Sequence, residues 1–139
     1  MKKIPLIVVL ILLFGTNIFS QKIELKNDIV KIDGKDIFSY KDGKSAEELT
    51  IYKLNTKDEL IFIRHNNNGT PGQSSNGDDY NNILFVPLKL KMETRKWHMR
   101  WKTTVMWFYE NGIINDKGEI DENKIALFIE KYNENISQK

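Results

Sequence analysis

The sequence predicts an α+β domain, an antiparallel β-meander of five or six strands followed by two C-terminal helices. Three observations carry that reading. Short β-branched and aromatic runs recur between Asp-Gly and Asn-rich turn signals through residues 28–91. No helical pattern interrupts these runs, so successive strands must pair with their neighbours. Beyond residue 100 the apolar period changes from two to that of a helix.

In "DIVKIDGKDIFSYKDGK" (28–44), Asp33-Gly34 and Asp42-Gly43 each adjoin such a run. Asp-Gly suits a tight hairpin because glycine accepts the positive φ that primed turns require. "LTIYKL" (49–54) and "ELIFIRH" (59–65) flank the polar "NTKD" and form a further hairpin. "NNILFVPLKLK" (81–91) reads as a fifth strand, with Pro87 at an edge or bulge because it has no N–H to donate. "NNNGTPGQSSNGDDYNN" (66–82) is almost free of aliphatic residues and reads as a long polar loop. In "WKTTVMWFYENG" (101–112), Trp101, Val105 and Phe108 share a helical face, and Gly112 is placed to end the helix. "DENKIALFIEKYNENI" (121–136) repeats the period with Ile125, Phe128, Ile129 and Tyr132. Asp121 stands before it as an N-cap whose carboxylate can accept orphan backbone N–H groups.

The N-terminus has the order of a secretory signal: Lys2 and Lys3, the apolar run "IPLIVVLILLF" (4–14), then the small and polar "GTNIFSQK". The apolar run is shorter than the roughly 20 residues that span a bilayer. Cleavage after Ser20 would leave one domain, 21–139, exported to the periplasm, outer surface or exterior. The chain has no cysteine, so its core must stabilise it without disulfides. Of 21 basic and 19 acidic residues, only Lys2 and Lys3 lie in 1–20, so the exported domain balances 19 against 19. A global field steering nucleic acid is not supported.

The signal end "NIFSQK", the strand-turn "DGKDIFSY" and the ending "NGIINDKGEIDENKIALFIEKYNENIS" resemble small exported proteins of the Bacteroidetes that carry no assigned activity. The resemblance covers the ends better than the middle. It implies a β-rich body with a helical C-terminus, and it brings no functional residue.

Chemical motifs are sparse. His65 and His98 are the only imidazoles and, without cysteine, cannot complete a structural zinc set. Joined by Asp78 or Asp79 they would make a catalytic-type site, but each lies in a different element. "NDKGEIDENK" echoes an EF-hand, yet placing Gly118 at the sixth position puts Ile113 and Lys124 where carboxylates are needed. There is no G-x-S-x-G elbow and no phosphate loop. Glu47 and Glu48 are adjacent, and strand neighbours point to opposite faces. No metal or cofactor is implied.

The stretch "RKWHMRWKTTVMWFY" (95–109) holds all three tryptophans. Residues 89–102 carry six cations against Glu93, a local balance of plus five, while 110–139 carry minus three. The two segments either pair with each other or leave a basic patch. As a strand, "WHMRWK" turns Trp97, Met99 and Trp101 one way and His98, Arg100 and Lys102 the other. As a helix, Trp97, Trp101, Val105 and Phe108 share a stripe that Trp107 leaves. Both readings turn Trp97 and Trp101 inward. Trp107 is then a rim contact or a ring packed beneath a loop. The candidate binding residues are therefore His98, Arg100, Lys102 and Trp107. Cations beside rings suit an anionic glycan, a lipid surface or an acidic protein. The favoured class is an exported, non-enzymatic binding or structural domain. The alternative is a small secreted hydrolase, metal-assisted, using His65, His98 and a loop acid.

Overall fold

The computed structural model describes residues 21–43, 45–67, 78–96 and 100–139. Among these residues seven antiparallel strands form one sheet in strict chain order. They are β1 (Ile23–Lys26), β2 (Ile29–Ile32), β3 (Lys35–Asp42), β4 (Glu48–Lys53), β5 (Glu59–Asn66), β6 (Tyr80–Phe85) and β7 (Leu90–Thr94). Helices α1 (Trp101–Glu110) and α2 (Glu122–Tyr132) follow. The α+β meander read from the sequence is the observed architecture. Residues 1–20, where the sequence predicts a secretory signal, lie outside the described residues.

The two additional strands have local causes. β1 and β2 are joined through Asn27 and Asp28, at φ 52° and 62°. Asn and Asp tolerate the left-handed region, so this turn forms without the glycine that marks the next one. That next turn, Asp33-Gly34, has positive φ at both positions, as a primed hairpin turn requires. "NNILFVPLKLK" is not one strand. β6 stops at Phe85, Val86–Leu88 make a single 3-10 turn, and Lys89 at φ 54° sends β7 back. Proline's fixed φ suits the opening of a helical turn, and its missing N–H ends the ladder. Pro87 thus sits in a hairpin connection rather than at a strand edge or bulge.

Two other turn readings change. β3 ends at Asp42 and β4 begins only at Glu48, so Asp42-Gly43 is not a tight two-residue turn. The positive φ falls on Ala46 instead, at 57°. The polar loop is also shorter than 66–82, because Asn66 pairs with Tyr80 and His65 with Asn81 at the ends of β5 and β6. The Asn66 amide donates to the Tyr80 hydroxyl at 2.9 Å, so polar side chains extend this hairpin. Residues 68–77 lie outside the described residues.

Alternate residues of the central strands turn to one face. Leu49, Ile51, Ile61, Ile63, Ile83, Phe85 and Met92 are all buried there. The helices cover this inner face, α1 with Val105 and Phe108, α2 with Ile125 and Phe128. Phe85 anchors both, its ring edge-on to Phe108 at 6.1 Å and to Phe128 at 6.3 Å. α1 reaches β1 and α2 reaches β7, so the helix pair spans the sheet. Burying each such ring stabilises the fold by about 1.5–3 kcal/mol.

Both helix ends foreseen in the sequence are present. Gly112, at φ 70°, donates to the Tyr109 carbonyl, and the next amide, Ile113, reaches back to Phe108 at 2.9 Å. This pair of bonds stops α1 and buries Ile113 against the core. Asp121 Oδ1 accepts from the Asn123 and Lys124 amides, opening α2.

After α2 the chain runs along β7. The Glu93 amide donates to Asn133 Oδ1 at 2.9 Å, the Glu134 amide to the Glu93 carbonyl at 2.8 Å, and the Ser137 amide to Glu93 Oε2 at 2.7 Å. This segment covers an edge that would otherwise offer unpaired backbone groups to another chain. Glu134 locks it. Oε2 accepts from the Arg95 amide at 2.5 Å and the Thr94 hydroxyl at 2.9 Å, and Oε1 meets Arg95 Nη1 at 3.2 Å. Partial burial pushes the Glu134 carboxyl up, but these donors outweigh it and hold the group below its ordinary 4.5. A depressed carboxyl contributes stability that is present above 4.5 and lost as pH falls through its lower folded value. Glu134→Gln should cost about 1–2 kcal/mol at neutral pH, discounted for exposure, and should flatten the acid limb of stability below pH 4.5. Urea unfolding across that range checks this; equal acid slopes for the two proteins would overturn it.

Candidate functional site

The basic segment does not form one patch. Arg95 is bound to Glu134, and the Lys96 ammonium lies 5.9 Å above the Tyr132 ring. For these two cations the basic and acidic segments pair with each other. Arg100 and Lys102 remain exposed, one just before α1 and the other in its first turn. The helical reading holds from Trp101 onward. His98, with Trp97 and Met99, lies outside the described residues.

Trp107 lies in the core. It is only 7% exposed, with its ring 4.6 Å from Phe128, 4.9 Å from Tyr132 and 6.0 Å from Phe108. It leaves the stripe of α1 that faces the sheet because α2 lies beside α1 and supplies a second apolar surface. The period of a single helix cannot reveal that neighbour.

An open concave surface lies on the other side of the sheet, facing solvent. Register builds it. Phe62 pairs with Leu84, which pairs with Lys91; one step along, Arg64 pairs with Asn82, which pairs with Glu93. These outward side chains floor an open cleft of about 500 Å³, walled by the C-terminal segment through Asn135, Ser137 and Gln138. Phe62 and Leu84 provide half-buried apolar area, while Arg64 and Lys91 are exposed cations. The Arg64 guanidinium lies 5.5 Å from the Phe62 ring centre, and its Nε is held by Glu48 Oε1 at 2.8 Å. The Glu48 hydrogen bond is made by Nε, and the guanidinium carries further N–H donors on its two Nη groups. The Glu93 carboxylate is engaged by the Ser137 amide. Glu48 therefore works in a cross-strand pair, not with its neighbour Glu47. Sequence reading passed over the cleft, although the alternation in "IFIRHN" already places Phe62 and Arg64 together, opposite Ile61, Ile63 and His65.

A polar row closes one end of the inner face. His65, Asn81 and Thr94 stand side by side across β5, β6 and β7, with Asp79 two residues before Asn81. His65 is 9% exposed, because it continues the inward series of Ile61 and Ile63. Its Nε2 lies 3.5 Å from Asp79 Oδ2. Asn81 is fully buried, and among the described residues neither polar atom of its side chain has a hydrogen-bond partner; the same holds for Asp79 Oδ1. Thr94 is bonded to Glu134, which links the row to the C-terminal lock. Among the described residues no three His, Asp or Glu side chains are grouped to hold a metal ion. Nor is any helix long and apolar enough to cross a membrane.

Comparison with protein-family models, with curated proteins and with solved structures finds no match to this chain.

Proposed function

We propose that this chain is an exported, non-enzymatic binding domain of the cell envelope or exterior that takes an anionic ligand. The observation that carries the reading is the solvent-facing cleft, where two exposed cations flank an apolar floor beneath a wall of amide and hydroxyl side chains. Such a surface offers contact area, hydrogen bonds and attraction together. The exposed Arg100 and Lys102 add to the attraction at a second place on the domain. Export rests on the charged start and short apolar run of residues 2–14. The candidate partners are an anionic glycan, a lipid surface and an acidic protein; nucleic acid is not expected of a domain balanced 19 against 19.

The test uses residues 21–139, which contain every element of the described fold. Binding to acidic polysaccharide and to anionic phospholipid vesicles is measured as NaCl rises from about 0.1 M to about 1 M, which shortens the Debye length from about 10 Å to about 3 Å. Affinity should fall steeply. Affinity that does not change with salt removes the electrostatic basis of the reading.

A second reading, a small hydrolase, is favoured by one observation, the approach of His65 to Asp79 in a buried setting. A buried carboxylate that orients an imidazole is one element of acid–base catalysis. Replacing His65 and His98 together separates the classes: binding at the outer cleft should largely survive, and any hydrolase turnover should vanish. A chain whose hydrolytic activity persists without both histidines is not this enzyme.

A further inference from the structure

We propose that the outer cleft is a subsite for an acidic glycan, a short oligosaccharide bearing uronate-type carboxylates; the inference rests on the binding reading above. The juxtaposition that carries it is the two-by-three block of Phe62, Leu84 and Lys91 beside Arg64, Asn82 and Glu93, set by strand register. A pyranose ring has an apolar C–H face and a rim of hydroxyls. The block matches both parts, since the Phe62 ring and Leu84 form the platform while Asn82 and the Arg64 Nη groups sit two residues along the same strands. Asn135 and Gln138 face them from the opposite wall. Planar amide and guanidinium groups are suited to paired hydroxyls because each presents two polar atoms in fixed geometry.

Charge selects the acidic member of this class. Lys91 makes no ion pair among the described residues. Arg64 keeps its Nη donors, and the Glu93 carboxylate is drawn onto the Ser137 amide at the wall. A ligand carboxylate therefore meets cations over the floor of the cleft, with the acid held at one side.

Size decides between ligand sources. A cleft of about 500 Å³ falls within the roughly 300–1,000 Å³ of small-ligand sites. A stable protein partner needs about 800 Å² on each side, which a concave patch of this size does not supply. A planar membrane cannot enter between β5–β7 and the C-terminal wall.

The experiment is a titration of ¹⁵N-labelled residues 21–139 with a galacturonate trimer, followed by amide shifts, with a neutral cello-oligosaccharide as control. Shifts should centre on Phe62, Arg64, Asn82, Leu84 and Lys91, and the neutral sugar should bind at least about tenfold more weakly. Lys91→Glu should weaken the acidic sugar by about tenfold or more, since it exchanges an attractive charge for a repulsive one in a partly screened site. Lys91 is exposed, so this variant leaves the core intact; Phe62→Ala, read by the same titration, tests the platform independently. The assignment is overturned by shifts confined to the Arg100–Lys102 end of α1, by affinity unmoved by both variants, or by neutral and acidic sugars bound equally. In the first, the binding reading survives and the subsite does not. Vesicle binding without any sugar binding has the same consequence. No binding to acidic sugars, acidic polysaccharide or anionic vesicles removes the binding reading itself.

Discussion

Trp107→Ala should destabilise the domain by about 3–5 kcal/mol, the usual cost of truncating a large buried ring. The ring touches Phe108 of its own helix and Phe128 and Tyr132 of α2, so its removal opens a cavity at the helix–helix contact. For a domain whose total stability is about 5–15 kcal/mol, that is a large fraction. The expected fall in Tm is roughly 10–20 °C. Lys102→Ala, made in the same helix on the exposed side, should change stability by less than about 0.5 kcal/mol. The contrast distinguishes a structural ring from a contact ring, because a rim tryptophan could be truncated at little cost to folding. Urea melts of the two variants decide it. If Trp107→Ala unfolds at the same urea concentration as the parent, the ring is not part of the core.

The helical period marks Phe108 as core and leaves Trp107 off its stripe, and the structure buries both. Periodicity reports one buried stripe per helix, the one facing the largest apolar neighbour. Phe108 is on that stripe because the sheet lies beneath it. Trp107 needs a second neighbour, α2, whose position depends on how the Ile113–Asp121 connection folds back, and no local pattern encodes that. The same division runs through the strands. Asp33-Gly34 was legible because glycine at positive φ has a composition mark, whereas Asn27 and Asp28 reach the same geometry without one. Gly112 and Asp121 were legible because helix caps depend on residues adjacent in sequence. Pro87 signalled an interruption, but its kind, a reversal rather than a bulge, was set by Phe85 and Leu90 pairing with each other.

The candidate site was less legible than the fold. A positive local charge count treats residues 89–102 as one surface, yet β7, its edge and the start of α1 point their cations in different directions. Lys91 enters the outer cleft, Arg95 meets Glu134, and Lys102 stands at the start of α1. Arg64, which floors the cleft with Lys91, comes from a different strand and carries no local charge cluster to draw attention to it. Register assembles the site, and register is a property of pairs of strands.

Asn81→Leu should raise stability by about 1–3 kcal/mol, the cost normally attached to burying an amide without hydrogen bonds. Asn81 is 0% exposed, with Nδ2 and Oδ1 both unpartnered among the described residues, between His65 and Thr94 on the inner face. Leucine has the same branching and the same number of side-chain heavy atoms, so the substitution removes polarity with little change of shape. It also extends the apolar series of Ile83 and Phe85 along β6. Asn82→Leu, one residue on and facing the cleft, is the control and should move stability by less than about 0.5 kcal/mol. The readout is the urea midpoint with an unchanged slope, which assigns the effect to stability rather than to a more compact denatured state. A fall in stability for Asn81→Leu would mean that the amide is hydrogen-bonded in solution through an internal water. The row of His65, Asp79, Asn81 and Thr94 would then be a satisfied polar network, whose loss costs more than its parts suggest. In that case the hydrolase reading gains a pre-organised site. A rise in stability means that the fold bears a cost at Asn81 which an apolar residue would relieve.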